Sequence, residues 1–297
     1  MKTLPFTIVY PPQGAVIKQG LPGIFVYGAA KAGGKLKING KKVTIYKTGA
    51  YLAYVPSKQG KFDINFDFNG VKHTHGVYIE KPQILKAAPL NPPETCYKKP
   101  RFNFTKAAPL KGLKVFLDPG HSPLLTYPGE GKTSPLGVPE YKINYQTALA
   151  ARKALLALGA KVMLSKKPGE QMLLLPRSQK AREWGADIFI SIHNNSWPDN
   201  VNPFKRKNGF GMYYYHPHSA PLARALIKSY RKNIPLPSEG IIQRDFSVLR
   251  NSPQIPAVLI ESAYITLPRH EELLLQKTFI NKIAKAIAEG VLGFVKL

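Results

Sequence analysis

The chain has 297 residues, 44% hydrophobic and 20% charged, which suits two domains with real cores and lies far from the composition of a disordered protein. No apolar run approaches the roughly 18 residues that a membrane-spanning helix needs. Lysine and arginine outnumber aspartate and glutamate by 43 to 17, a net charge of +26, with 17 basic and 4 acidic side chains in residues 1–110 and 26 and 13 in residues 111–297.

A field of that sign suits nucleic acid, anionic lipid or an acidic cell-wall polymer, or else a well-solvated surface, and composition does not choose among them. The single cysteine, Cys96, excludes an internal disulfide framework and a cysteine-rich zinc site. The start, MKTLPFTIVYPPQG, is broken by Pro5 and by Pro11-Pro12 and is too short for a secretory apolar segment. Either the protein is cytoplasmic, or a start Met stands where a signal peptide was.

In chain order, residues 1–81 read as a small all-β domain. Lys35–Ile38 and Val43–Tyr46 flank Asn39-Gly40-Lys41-Lys42, in which Asn-Gly supplies the positive φ angles of a tight hairpin. Phe62, Ile64, Phe66 and Phe68 alternate with Lys61, Asp63, Asn65 and Asp67, which places one apolar face on a strand that Asn69-Gly70 then turns. Short strands at this spacing predict a sandwich-like, immunoglobulin-like domain. Residues 82–111 carry Pro82, Pro89, Pro92, Pro93, Pro100 and Pro109, and predict a stiff linker that holds two domains apart or straps along one of them. The pentapeptide Lys-Ala-Ala-Pro-Leu recurs at 86–90 and 106–110, too short to be a repeat unit.

Residues 112–297 alternate strand and helix. Strands are expected at Val115–Leu117, Val162–Leu164, Ile188–Ile192, Phe210–Tyr215 and Ala257–Ile260. Helices are expected at about Tyr141–Leu158, Arg177–Trp184, Ala220–Arg231 and Phe279–Val295. Such alternation predicts an α/β domain with a mostly parallel sheet and helices on both faces, whose ligands sit beyond the carboxyl ends of the strands.

Three of those strand ends deliver ionisable groups: His121, His193 and Glu261. Glu140, at the entrance to the first long helix, adds a second carboxylate that a folded-back loop from 122–139 can bring beside them. Two imidazoles and one carboxylate form a common catalytic zinc set with one position left for water, and the remaining carboxylate would then serve as base. Taken singly, each has a plainer role: a structural histidine, a carboxylate at a helix start, a partner for a lysine. Asp118 either orients His121 or belongs to an Asp-Pro-Gly turn. Arg250 either binds a substrate carboxylate or is a solvated surface residue.

Four ordered segments, Lys114–His121 (KVFLDPGH), Pro139–Asn144 (PEYKIN), Ala186–Asn194 (ADIFISIHN) and Pro256–Tyr264 (PAVLIESAY), resemble the signatures of the zinc-dependent N-acetylmuramoyl-L-alanine amidases, over about 111–297. The resemblance implies hydrolysis of the bond between the muramic acid lactyl group and the first alanine of the peptidoglycan stem peptide. It also implies Zn²⁺ on His121, Glu140 and His193, with Glu261 acting on the water, and family positions for Asn144 and Arg177 inside helices. Peptidoglycan would be the partner, with anionic envelope polymers for the basic β domain, a periplasmic or cell-wall location, and no nucleic acid. A zinc peptidase acting on stem peptides, or a wall-binding protein without activity, are the rival readings.

The sequence also departs from that family. His121-Ser122-Pro123 replaces the glycines and acidic residue that commonly follow the first histidine. Ser165-Lys166-Lys167-Pro168 and Thr266-Leu267-Pro268 replace other family runs. Some relatives carry a helical plug after the second histidine; here Ser196–Asn208 is short and holds Pro198 and Pro203, so none is expected. His73 and His75 share a strand face without a visible third ligand, His216 and His218 are expected in an exposed loop, and Tyr213–Tyr215 in core packing.

Overall fold

The computed structural model describes residues 4–81, 90–92, 108–123, 129 and 131–296. Most of the expected linker, with Cys96 and both copies of the pentapeptide in part, lies outside the described residues, as do 124–128 and 130 of the loop after His121.

The N-terminal strands are β1 (Phe6–Tyr10), β2 (Val16–Ile17), β3 (Gly23–Ala30), β4 (Leu36–Ile38), β5 (Lys41–Val43), β6 (Ala50–Pro56), β7 (Gly60–Phe68) and β8 (Val71–Ile79). They form a three-stranded sheet in the order β1-β3-β6 and a five-stranded sheet in the order β2-β8-β7-β4-β5. The alternation in β7 does what the pattern predicts: Ile64, Phe66 and Phe68 are buried with Ile24, Val26 and Tyr51 of the other sheet, while Lys61 and Asp63 face water. The hairpin differs in register. Asn39 (φ 48) and Gly40 (φ 76) alone make the turn, so β5 begins at Lys41 rather than Val43, because a two-residue turn with two positive φ angles needs no further loop.

The second region contains β9 (Lys114–Pro119), α1 (Glu140–Ala157), β10 (Lys161–Leu164), α2 (Leu174–Glu183), β11 (Ile188–Asn195), β12 (Phe210–Tyr214), α3 (Ala220–Asn233), β13 (Ser238–Gln243), α4 (Ser247–Arg250), β14 (Ala257–Tyr264), α5 (Pro268–Leu274) and α6 (Lys277–Val295). Its six-stranded sheet has the order β10-β9-β11-β14-β12-β13, parallel except where β12 meets β14. Successive strand residues point to opposite faces. Val115, Leu117, Ile190 and Ile260 pack under α1, α3 and α6, and Phe116, Phe189 and Leu259 pack under α2 and α4. The mostly parallel sheet covered on both faces is therefore the observed architecture.

Some expectations need correction. Helix α2 starts at Leu174, three residues before Arg177, since Pro176 in the first turn costs no hydrogen bond. Strand β13 and helices α4 and α5 gave no periodic signal, being an edge strand and two helices of four and seven residues. His216 is buried rather than exposed, its Nε2 2.9 Å from the Arg250 carbonyl oxygen, and His218 is half-buried. Tyr213 and Tyr215 pack on the α2 side and Met212 on the other, as expected of core residues. His75 is buried, with Nε2 2.8 Å from the Pro11 carbonyl oxygen, a structural role.

The two regions are not held apart. The outer face of the β1-β3-β6 sheet, with Phe25, Tyr27 and Leu52, packs against Trp197, Tyr264 and Leu267. Across this seam the Tyr10 hydroxyl donates to Asp199 Oδ2 at 2.7 Å and the Lys47 ammonium lies 2.6 Å from Glu272. The segment 196–208, which runs under the seam, holds only a three-residue 3-10 turn, Pro203–Lys205.

Candidate metal centre

His121 follows β9 and Glu140 opens α1, whereas β11 and β14 run past the expected Ile192 and Ile260, so His193 and Glu261 lie within their strands, two and three residues before the ends. Strand β9 stops at Pro119, and Gly120 continues the ladder by donating to the Ile192 carbonyl at 2.9 Å. Only glycine fits there, because a Cβ would lie 2.2 Å from the His193 ring. His121 follows with φ 59, a left-handed conformation that costs a non-glycine residue about 1 kcal/mol or more and persists only where its surroundings impose it.

Arg177 imposes it. Fully buried, its guanidinium donates to the His121 carbonyl at 2.9 Å, the Pro119 carbonyl at 3.0 Å, Asp118 Oδ1 at 3.0 Å, the Met172 carbonyl at 2.9 Å and the Leu173 carbonyl at 3.3 Å. Five acceptors match the five N–H groups of the fork. Asp118 also accepts from Ser165 at 2.7 Å and Ser191 at 2.8 Å. Burial opposes its ionisation, but Arg177, Lys166 and the Ser165 hydroxyl outweigh that and hold the carboxyl below the usual carboxylate range. Asp118 thus reaches His121 through Arg177, which donates to both. Lys166 is buried too and donates to the Pro119 carbonyl, and burial lowers its ammonium to about 7.

Glu140 opens α1, where a carboxylate complements the helix dipole. Its Oε1 accepts from Asn144 Nδ2 and from the Asn194 backbone N–H, both at 3.1 Å, and its Oε2 accepts from the Lys132 N–H at 3.3 Å. Asn144, one turn along α1, also accepts from the Asn194 side chain at 2.9 Å and donates to the Gly120 carbonyl at 3.3 Å. It is a brace between helix and both histidine-bearing strands.

The three groups meet. His121 Nε2 lies 3.2 Å from Glu140 Oε2, His193 Nδ1 lies 3.4 Å from Glu140 Oε1, and one donor atom from each falls within 4.8 Å of the others. Tetrahedral donors at about 2.0–2.2 Å from an ion stand about 3.4 Å apart, so the set fits a small divalent cation. Among the described residues no other such group of three occurs. Gly131, with φ 77, closes over the cluster, and a Cβ there would lie 2.4 Å from Glu140 Oε2 and 2.7 Å from His121 Cδ2. His121 is 22% and His193 15% exposed while Glu140 is 3% exposed, so the imidazoles open to the outside and the carboxylate forms the floor.

Glu261 on β14 pairs in register with His193 on β11. The cavity it shares with His121, His193, Asp118, Arg177 and Phe246 has a volume of about 200 Å³. Its Oε2 is buried without a hydrogen-bond partner among the described residues. Burial, with the carboxylates of Glu140 and Glu239 nearby, pushes its carboxyl well above the usual range.

Arg250 is not brought to the cavity. It pairs with Asp245 on the surface, and both side chains are 40–50% exposed (47% and 41%). Sequence reasoning passed over Ser165, Lys166, Ser191 and Asn194. Ser191 and Asn194 sit inside the third signature segment beside His193, and Ser165-Lys166 is one of the noted departures, but nothing in the sequence says that all four turn inward.

The family model described as N-acetylmuramoyl-L-alanine amidase matches residues 115–292. The chain is 30% identical over 188 residues to a probable cell wall amidase, LytH, of Staphylococcus saprophyticus, covering 63% of this chain and 60% of that protein. It thus spans about three-fifths of the length of that curated relative. Among solved structures, it resembles an N-acetylmuramoyl-L-alanine amidase of Clostridium difficile 630 (27% identity, TM-score 0.57, 62% of this chain and 97% of that one). AmiC2 of Nostoc punctiforme is similar at 27% identity and TM-score 0.56, over 63% of this chain and 99% of that one.

Proposed function

The chain belongs to the N-acetylmuramoyl-L-alanine amidase family, and we propose that it hydrolyses the amide bond between the muramic acid lactyl group and L-alanine in peptidoglycan, outside the cytoplasm. His121, Glu140 and His193 would hold Zn²⁺, and Glu261 would carry the proton. The observation that carries this reading is the placement of Glu261: beside His193 in register, lining the same cavity, with a buried oxygen that no hydrogen bond engages among the described residues.

When bound, zinc supplies Lewis-acid chemistry, acidifying water and polarising a carbonyl. The protein does the rest. Glu261 Oε2 takes a proton from the attacking water and passes it to the departing alanine nitrogen, so no covalent intermediate with the protein forms. Arg177, Asp118 and Lys166 hold the backbone of 119–121, and Asn144 and Asn194 hold Glu140, so the donor atoms are positioned in advance. The N-terminal strand-rich region would keep the enzyme on its polymeric substrate.

The test is digestion of purified peptidoglycan by wild type and Glu261→Gln, with and without chelator. Free N-terminal L-alanine is expected from wild type with zinc, with release falling about 10²–10⁴-fold in the variant. Cleavage within the stem peptide instead, seen by mass spectrometry of the products, would replace the amidase reading with a peptidase one.

A further inference from the structure

A second cleft, of about 450 Å³, lies where the N-terminal region meets the 196–208 segment. We propose that it binds a second stretch of the peptidoglycan strand, stacking sugar faces on its aromatic side chains and pairing its basic rim with the carboxylates of stem peptides. This rests on the substrate assigned above and extends it to a site outside the metal centre.

The cleft opens between β5 and β6, which are the outermost strands of their respective sheets, so the sandwich presents two edges side by side. Exposed edges are normally short, charged or covered. Here β5 is short and contributes Lys41 and Lys42 to the lining, and the interior is lined by Leu52, Tyr46 and Tyr54. Phe204 closes the cleft from the other region and is 59% exposed, a large apolar ring left in water. Lys205, Arg206 and Lys207 follow it, all exposed. Among the described residues, none of these five basic side chains has an ion pair.

Flat apolar rings within a rim of uncompensated positive charge suit a ligand with apolar faces and repeated negative groups. A glycan strand bearing carboxylated peptides has both. The Phe204 turn is also held ready: Trp197 Nε1 donates to Asn208 Oδ1 at 2.6 Å, and Asn208 Nδ2 donates to the Pro203 carbonyl at 2.9 Å. Trp197 stacks on Tyr264, three residues beyond Glu261. The 196–208 segment leaves the strand that carries His193, so polymer held in the cleft and polymer at the metal centre contact one continuous piece of chain.

The experiment uses the full chain carrying Glu261→Gln, so that substrate is not consumed, and sacculi chemically stripped of phosphate polymers, with chelator present. Adding Lys41→Glu, Lys42→Glu and Phe204→Ala is expected to weaken co-sedimentation at least about tenfold near 0.1 M salt. Lys205→Glu, Arg206→Glu and Lys207→Glu, immediately after Phe204 in the chain, should act in the same direction. In the otherwise wild-type enzyme the first set should leave kcat on a soluble disaccharide-peptide within about twofold. Unchanged sacculus binding by both sets would overturn the proposal. Binding that needs unstripped sacculi, or that single-stranded DNA competes away, would assign the cleft to phosphate instead and overturn it equally. If the wild type released no alanine while sacculus binding fell as expected, the cleft would stand and the amidase reading would fall.

Discussion

The strand-rich N-terminal region and the α/β region carry similar surpluses of positive charge but bury different chemistry. Among the described residues of the first, His75 is the one buried polar or charged side chain other than tyrosine, while the second buries Asp118, Glu140, Asn144, Lys166, Arg177, Ser191 and Asn194 around one strand-end cluster. A buried polar group costs free energy unless it is paired. A fold that gathers so many and pairs nearly all of them is holding a constellation in place, whereas the sandwich core is mostly apolar, with the buried Tyr51 and His75 each bonded to a backbone carbonyl. The contrast separates what keeps each region folded from what makes it act: charge at the surface is shared, and a dense cluster of internal polarity surrounds the metal centre.

The sharpest way to break this contrast is Arg177→Met. It keeps most of the buried volume but strips five acceptors of their donor and leaves Asp118 charged and buried, and we expect a loss of about 3–5 kcal/mol in denaturant unfolding. Zinc affinity should fall with it, because His121 loses the bond that fixes its left-handed backbone. Arg177→Lys should recover little, since an ammonium lacks the planar fork. Retained zinc affinity in the methionine variant would mean that His121 is held by other contacts.

Its counterpart in the sandwich is Ile64→Ala, at a fully buried position of β7. The deleted methyl groups and the cavity left behind should cost about 2–4 kcal/mol. Zinc affinity should stay within about twofold, as no polar pairing changes. A parallel loss of zinc affinity would show that the seam at Tyr10, Tyr27 and Trp197 couples the two regions energetically, and would blur the contrast drawn above.

How much of this was legible in the sequence differs between the regions for the same reason. In β7, the two-residue period and the Asn-Gly turns are local signals, so the strand and its inward face could be read directly. In the α/β region, the apolar runs that lead to His121, His193 and Glu261 were equally legible, although β11 and β14 continue past His193 and Glu261. That Glu140 meets both histidines depends on the fold-back of 131–139, whose Gly131 is forced by steric closure over the cluster rather than by any local pattern. Lys166 and Arg177 were ambiguous because a basic residue in a polar stretch reads as surface until the tertiary fold buries it. The seam was hidden more deeply still: the aromatic residues of β3 read as one more strand face, and nothing within a strand says that both of its faces are covered.

The smallest expected effect concerns Glu261 as a cost to the metal-free fold. Its carboxyl is pushed up in the folded protein by burial and by Glu140 and Glu239, so folding favours its protonated form. The sign follows: the contribution is fully favourable below the ordinary carboxylate range and is lost as pH rises toward the raised folded value. Glutamine keeps the shape and does not titrate. In chelator, Glu261→Gln should therefore melt close to wild type near pH 4 and increasingly above it toward pH 8, by about 2 °C or more. Saturating zinc should narrow that gap, since a nearby dication favours the carboxylate that glutamine cannot supply. A gap independent of pH would mean that Glu261 is already ionised in the empty fold. The internal polarity that distinguishes the α/β region would then be compensated at this position as well, and the unpartnered oxygen would no longer mark a group free to carry a proton.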